Sequence, residues 1–462
     1  MTEAVLPTDE ELWARRQFPL TDAGNAERFA LIHGDRFRYA HVIDRWFVWR
    51  SGRWAPDDCR ERDRRAVDTA RWMYDDARKA PTKEEARKLA MYSVQSERRD
   101  KLEAMLALAR SFPPISVRPE SLDAEPLVLN LPNGTLDLAT GRLALHRPAQ
   151  LLTKQAPVPY EPNAEAPTWA RFLERVVPDA EARGYLQRAA GYSLTGSISE
   201  HCLFFCYGTG ANGKSTFLET LRDVLGEGEY AKAAAPDLLL AKRQDRHAAE
   251  IANLRGARFV TTIEVGEGRA WDESRVKWLT GGDTISARFL YGNEFSFQPT
   301  HKFWIAGNHK PRVHGTDYGF WRRVHFVPFT VTIPKEEQDP ELRTKLQREL
   351  PGILRWAVDG CLAWRREGLR PPAAVLAATQ AYRSSEDVLG AFIEECCTVD
   401  RGARVLVGAL YDTFRAWADR GGEHAMTKRA LGDALEERGF ERRASNGQRW
   451  VFGLSLKPGV EQ

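Results

Sequence analysis

Apolar and polar residues change their spacing several times along the chain, and each change marks a boundary between elements. Residues 20–60, around FRYAHVIDRWFVWRSGRWAP, carry aromatic and β-branched runs broken by Ser51-Gly52 and Pro56, which predicts a small β-containing region. Residues 60–110 switch to helical spacing. RAVDTARWMYDDARKA and KEEARKLAMYSVQSERRDKLEAMLALARSF place charges between apolar positions, so amphipathic helices with a solvated charged face are expected. Residues 125–160 return to short apolar runs with Asn133-Gly134 and Thr140-Gly141 as turn signals. Helical spacing covers 160–200, strand and helix patterns alternate over 201–330, and 340–385 is helical again. A final segment, 388–457, holds two short amphipathic helices (VGALYDTFRAWADRG and TKRALGDALEERGF), then a hairpin turning at Asn446-Gly447. Helix, helix and ribbon together suggest a winged helix. Its Arg429, Arg442, Arg443 and Arg449 are candidates for phosphate contacts, with protein contact the alternative.

Composition narrows this picture. A chain of 462 residues exceeds one ordinary core and suggests two to four domains. A net charge of +3 gives no pointer to nucleic acid, so any basic face must be local. There is no run of 18 apolar residues, and the polar, acidic start MTEAVLPTDEELWARR lacks the apolar core of a secretory signal. No membrane association is therefore expected. The six cysteines form no CxxC pair, and Cys202 and Cys206, in and beside the run LFFC, read as core residues of a chain in a reduced cytoplasm.

The strongest chemical signal is LFFCYGTGANGKSTFLETLRDVLG. Leu203 to Tyr207 reads as a strand, Gly208 to Ser215 matches GxxxxGK(S/T), and helical periodicity begins after it. Glycines let backbone N–H groups turn inward around a phosphate, and the helix N-terminus favours the anion. Gly208, Thr209, Gly210, Ala211, Asn212, Gly213, Lys214, Ser215 and Thr216 are therefore the candidate nucleotide-binding residues. Lys214 is placed to reach the β- and γ-phosphates and Ser215 to ligate Mg²⁺. About 50 residues on, Phe259 to Ile263 is another β-branched run, followed by Glu264, a candidate for Mg²⁺ binding or for activating water, with Glu267 a second candidate. HKFWIAGNHKP reads as a third strand ending at Asn308, whose amide at a strand tip can orient the attacking water, although on local grounds alone a turn Asn before a Pro is the favoured reading. Arg322 and Arg323 precede a further apolar strand. An arginine at a subunit edge can enter the neighbour's site, although a surface pair is the commoner reading of such residues.

Taken in order, GTGANGKST, the strand ending at Glu264, VKWLTGGDTISARFLYGNEFSFQPTHKFWIAGNHKP and FWRRVHFVPF resemble the superfamily III helicases, and within them the poxvirus and phage/plasmid primase-helicase branch. The resemblance covers roughly residues 20–385. It implies Walker A roles for Lys214 and Ser215, the Walker B role for Glu264, sensor 1 for Asn308, and the arginine finger for Arg323 with Arg322 as the fallback. It also implies a DNA-contacting β-hairpin within Lys277 to Lys302, its tip near Leu290 to Asn293, so that Arg288, Tyr291, Asn293 and Lys302 meet DNA. The Lys-His pair that some members carry at this tip is absent.

The expected fold is α/β: a P-loop AAA+-like ATPase core (196–385) between an α+β N-terminal region (1–195) and a small winged-helix-like C-terminal domain (386–462). The expected function is an ATP- and Mg²⁺-dependent DNA helicase or translocase of a phage, plasmid or related mobile element, acting in the bacterial cytoplasm. Shared sites imply a homo-oligomeric ring, a hexamer by resemblance, tracking 3′ to 5′ on single-stranded or forked DNA. Larger relatives carry a primase-polymerase domain ahead of this region, so no priming is expected from this chain; either a separate primase or polymerase is a partner, or the chain is a fragment of a longer primase-helicase. The alternatives are a DNA-binding initiator or loader without processive unwinding, and a P-loop switch acting on protein partners.

Overall fold

The computed structural model describes residues 18–241, 248–263, 268–288, 294–313, 318–421, 425–445 and 447–458. Near the N-terminus, the Thr21 side chain accepts from the Gly24 amide and opens a helix at Asp22–His33. The expected β region begins only after this helix. The capping signal at Thr21 is local, and the aromatic runs that follow mask it in the sequence. β1 (Phe37–Ala40), β2 (Arg45–Arg50) and β3 (Arg53–Pro56) form an antiparallel meander that turns at Ser51-Gly52, both at positive φ. Helices Glu61–Arg78, Lys83–Ser96 and Arg99–Ala109 follow as the spacing predicts. Phe29, Phe37, Trp46 and Met105 share a core of their own.

β4 (Val128–Leu131), β5 (Gly134–Asp137) and β6 (Arg142–Ala144) make a second antiparallel sheet, and helices Pro167–Val176 and Ala180–Leu194 lead to the centre of the molecule. There β7 (Leu203–Tyr207), β8 (Ala231–Ala233) and β9 (Phe259–Ile263) join, after the hairpin of β10 (Ile285–Arg288) and β11 (Glu294–Phe297), with β12 (Lys302–Gly307) and β13 (Val324–Pro328). The five pair in parallel, in the order β13-β7-β12-β9-β8. Inner strands of a covered parallel sheet need apolar residues on both faces, which is why LFFCY and KFWIAG read as unbroken runs. Phe204 stacks on Trp304 at 4.3 Å on one face, and Phe205 stacks on Phe326 at 5.3 Å on the other.

The first face shares one core with Leu129, Leu136, Tyr185 and Leu186. Packing therefore runs through residue 195 without a break, and β4–β6 belong with the central sheet rather than with the meander. The second face is covered by Trp271, Phe320, Tyr382 and the inward residues of the β10–β11 hairpin.

The C-terminal part adds elements that the sequence reading lacks. Helix Val388–Cys396 leads into β14 (Cys397–Leu406), then helices Val407–Gly421 and Lys428–Glu437, then β15 (Arg442–Ser445) and β16 (Gln448–Leu456). The sheet order is β14-β16-β15. β14 hides in the sequence because TVDRGAR is polar and its ladder breaks between Val399 and Arg404.

Candidate functional site

The phosphate loop sits where a strand tip meets a helix start. β7 ends at Tyr207 and the helix Lys214–Leu225 begins after a loop of six residues. Gly210 (φ 113°) and Gly213 (φ 82°) take left-handed backbone conformations open chiefly to glycine. A Cβ on Gly208 would lie 2.0 Å from Asn212 Nδ2 and 2.3 Å from the Phe329 carbonyl oxygen, so the loop closes only around glycine there. The loop is fastened to the chain after β13: Asn212 Nδ2 donates to Phe329 O (3.1 Å) and the Ile333 amide to Ala211 O (2.7 Å).

Lys214 is buried at the first position of the helix. Its Nζ donates to Gly208 O (2.7 Å), Asn212 Oδ1 (2.8 Å) and Asn308 Oδ1 (3.1 Å). Burial pushes the ammonium below the usual lysine range. Ser215 is exposed on the same first turn, with Thr216 half-buried beside it. Asn308 follows β12, the neighbour of β7, so the sheet brings together the loop lysine and an amide 94 residues away. On the other side of β12, Ile263 pairs with Ala306, so β9 ends beside Asn308. Glu264 and Glu267 lie outside the described residues, as do Tyr291 and Asn293.

Arg322 and Arg323 stand just before β13, whose Val324 pairs with Leu203 and whose Pro328 pairs with Tyr207. They are therefore at the end of the sheet away from the loop, about 16 Å off at the usual strand rise. Arg322 is exposed, whereas Arg323 is half-buried and donates to Gly319 O at 2.5 Å. Arg288 is exposed at the end of β10, opposite Glu294.

Lys302 corrects the expectation placed on it. The hairpin closes at Phe297, and Lys302 starts β12 in the core, 1% exposed. Its ammonium donates to the carbonyls of Thr195, Ser197 and Thr300 and faces the Tyr192 ring at 4.9 Å. Arg258 behaves alike, donating to Leu194 O (2.7 Å) and Val128 O (2.8 Å). Two buried cations thus hold the C-terminal carbonyl end of helix Ala180–Leu194, where the helix dipole is negative. Burial pushes both groups below their usual ranges. Lys302 is a scaffold residue with no path to DNA.

A cleft of about 780 Å³ opens beside the loop, lined by Ala211, Gly213, Thr216, Phe172, Arg175 and Arg343 among others. Arg343 bridges to Glu219 (2.5 Å) and Asp223 (3.5 Å) on the loop helix. No sequence signal marks this cleft, because its walls come from three separate helical stretches. Cys202 and Cys206 are buried as expected, and burial pushes the Cys206 thiol up to about 12. No helix among the described residues is long and apolar enough to cross a membrane.

Parts of the chain are similar to known proteins. Residues 26–178 match the D5 N-terminal-like family model, and residues 206–323 match a family of unknown function, DUF5906. A candidate helicase of Acanthamoeba polyphaga mimivirus is 29% identical over 325 residues, which is 64% of this chain and 33% of that protein. A candidate helicase of Frog virus 3 is 27% identical over 286 residues, 57% of this chain and 29% of that one. A candidate primase of African swine fever virus is 24% identical over 344 residues, 69% and 35% respectively. The chain spans about a third of the length of these relatives. They belong to viruses of eukaryotes and give no support to a bacterial host. Among solved structures, the apo C-terminal region of NrS-1 (residues 305–718) is alike in fold, with a TM-score of 0.52 at 9% identity over 93% of this chain and 99% of that one.

Proposed function

The chain belongs to the D5-like primase-helicase family, and on that premise we propose that it is an ATP-dependent DNA helicase or translocase serving replication. The observation that carries this reading is the contact of Lys214 Nζ with Asn308 Oδ1 at 3.1 Å. It joins the phosphate-loop lysine to an amide on the adjacent strand, the juxtaposition that nucleotide hydrolysis needs. Strand order supports a P-loop ATPase core of the AAA+ type, since the loop strand lies inside a parallel sheet with the Asn308 strand beside it. The order helix-strand-helix-helix-strand-strand after residue 387 supports a winged-helix-like C-terminal domain.

In this mechanism the triphosphate rests on the backbone N–H groups of Gly208 to Gly213, and the 780 Å³ cleft receives the base and ribose. Lys214 exchanges its carbonyl and amide partners for phosphate oxygens, which favour the charged form that burial disfavours. Asn308 orients the attacking water. Mg²⁺ takes hard oxygen donors and keeps several waters. The exposed Ser215 hydroxyl fits that preference, with Glu264 and then Glu267 as the acids supplied after β9. When bound, the ion neutralises charge between the β- and γ-phosphates.

Arg322 and Arg323 lie too far from the loop to act within their own subunit, so the reading requires a neighbour. A ring, hexameric by resemblance, supplies one, and Arg288, with Tyr291 and Asn293 beyond it, faces DNA in the channel with 3′ to 5′ tracking. The test is to mix Lys214→Ala subunits with Arg322→Ala or Arg323→Ala subunits. Each variant alone is expected to lose at least tenfold in ATP turnover, and one of the two mixtures is expected to regain part of it. No recovery at any ratio for either arginine would contradict shared sites.

A further inference from the structure

The C-terminal sheet has one face that the rest of the domain leaves open. Val451 points to the helices and packs with Val405, Leu431 and Leu435. Its neighbours Trp450 and Phe452 therefore point the opposite way, and both stay partly exposed outside that core. Cross-strand partners share a face. Trp450 pairs with Leu406 on β14 and Arg443 on β15, and Phe452 pairs with Arg404 on β14. The Arg404 guanidinium lies over the Trp450 ring at 4.6 Å, and that of Arg443 over Phe452 at 5.6 Å. Arg404 has no ion pair among the described residues. Arg443 pairs with Glu441, an exposed contact that competes weakly with other partners.

The opposite side of the domain has the wrong charge for a phosphate backbone. Helix Lys428–Glu437 carries Asp433, Glu436 and Glu437, and it ties up Arg442 through Asp433 (2.9 Å) and Glu436 (2.7 Å). Arg429 also pairs with Asp433. Arg404, Arg443 and the two partly exposed rings are thus together on the outer face of the sheet.

We propose that this outer face binds single-stranded nucleic acid, with Trp450 and Phe452 as stacking platforms for bases and Arg404 and Arg443 meeting the phosphates. Paired aromatics flanked by arginines suit unpaired bases, whose faces are free to stack, and give little sequence preference. A duplex buries those faces. The inference stands on the sheet alone and adds a binding surface to the channel proposed above.

The test uses the full chain and a fluorescein-labelled dT20 oligonucleotide, followed by fluorescence anisotropy without nucleotide over a salt series. Trp450→Leu combined with Phe452→Leu keeps apolar bulk and removes stacking. It is expected to raise Kd about fivefold to a hundredfold. Arg404→Gln with Arg443→Gln is expected to flatten the salt slope by about 1.4, at roughly 0.7 for each phosphate contact on a single strand. Circular dichroism melts establish that both variants are folded. Weakened dT20 binding in both folded sheet variants supports the proposal. Kd within twofold of wild type and an unchanged salt slope in both sheet variants would overturn the proposal. So would normal dT20 binding accompanied by altered sedimentation, which assigns the face to protein contact.

Discussion

Lys214 and Lys302 are both buried ammonium groups, and their partners separate a site from a scaffold. Lys214 is held by one backbone carbonyl and two side-chain amides at a helix start, partners it can exchange for phosphate. Lys302 is held by three carbonyls within the core. Spacing alone made Lys214 legible, because the glycines and the lysine sit within eight residues. The family resemblance, which put Lys302 on the DNA, misled there, because nothing local shows that a lysine opening an apolar strand faces inward. His33 offers a pH-dependent test at the same scale. It is buried beside Phe29, its Nε2 has no hydrogen-bond partner among the described residues, and burial together with Arg65 pushes its pKa down to about 4. The unfolded chain takes up that proton near pH 6.5 and the folded chain only near 4, so stability rises with pH through this window and is lost on acidification. His33→Phe is therefore expected to melt within about 2 °C of wild type at pH 8 and to lose a few degrees less between pH 7 and pH 5. An equal loss in both proteins would remove His33 from the acid response.

Elements were legible wherever the hydrophobic period was unambiguous. The buried strands β7, β9 and β12, the helices from 61 to 109, and the hairpin after residue 441 all read correctly from pattern. Helix Asp22–His33 and strand β14 did not, the first because aromatic runs follow it and the second because its middle is polar. Pairing was out of reach as well. The contact of β7 with both β12 and β13 is set by crossovers of about 95 and 120 residues, and the cleft beside the loop depends on it. The cation latch at the end of helix Ala180–Leu194 is likewise a product of tertiary structure. Lys302→Met would leave the three carbonyls of Thr195, Ser197 and Thr300 without their donor. It is expected to destabilise the chain by about 2–4 kcal/mol in denaturant melts. If Lys302→Met instead melts like wild type but binds DNA poorly, the assignment of Lys302 to the scaffold is wrong.

At the scale of the whole molecule, a net charge of +3 and a role on DNA are compatible, because the cations that matter are local. On the proposed reading Lys214 serves phosphate, whereas Arg258 and Lys302 are buried in the core and Arg288, Arg404 and Arg443 lie at the surface. Packing continues across residue 195, from Leu129 through Tyr185 to Phe204. The central claim is that ATP turnover is coupled to DNA. Its most direct test is steady-state ATP hydrolysis by the full chain, with and without single-stranded DNA, with Lys214→Ala as the blank. The account predicts turnover that rises severalfold with single-stranded DNA and vanishes in Lys214→Ala. Turnover indifferent to DNA, or undiminished in Lys214→Ala, would contradict it.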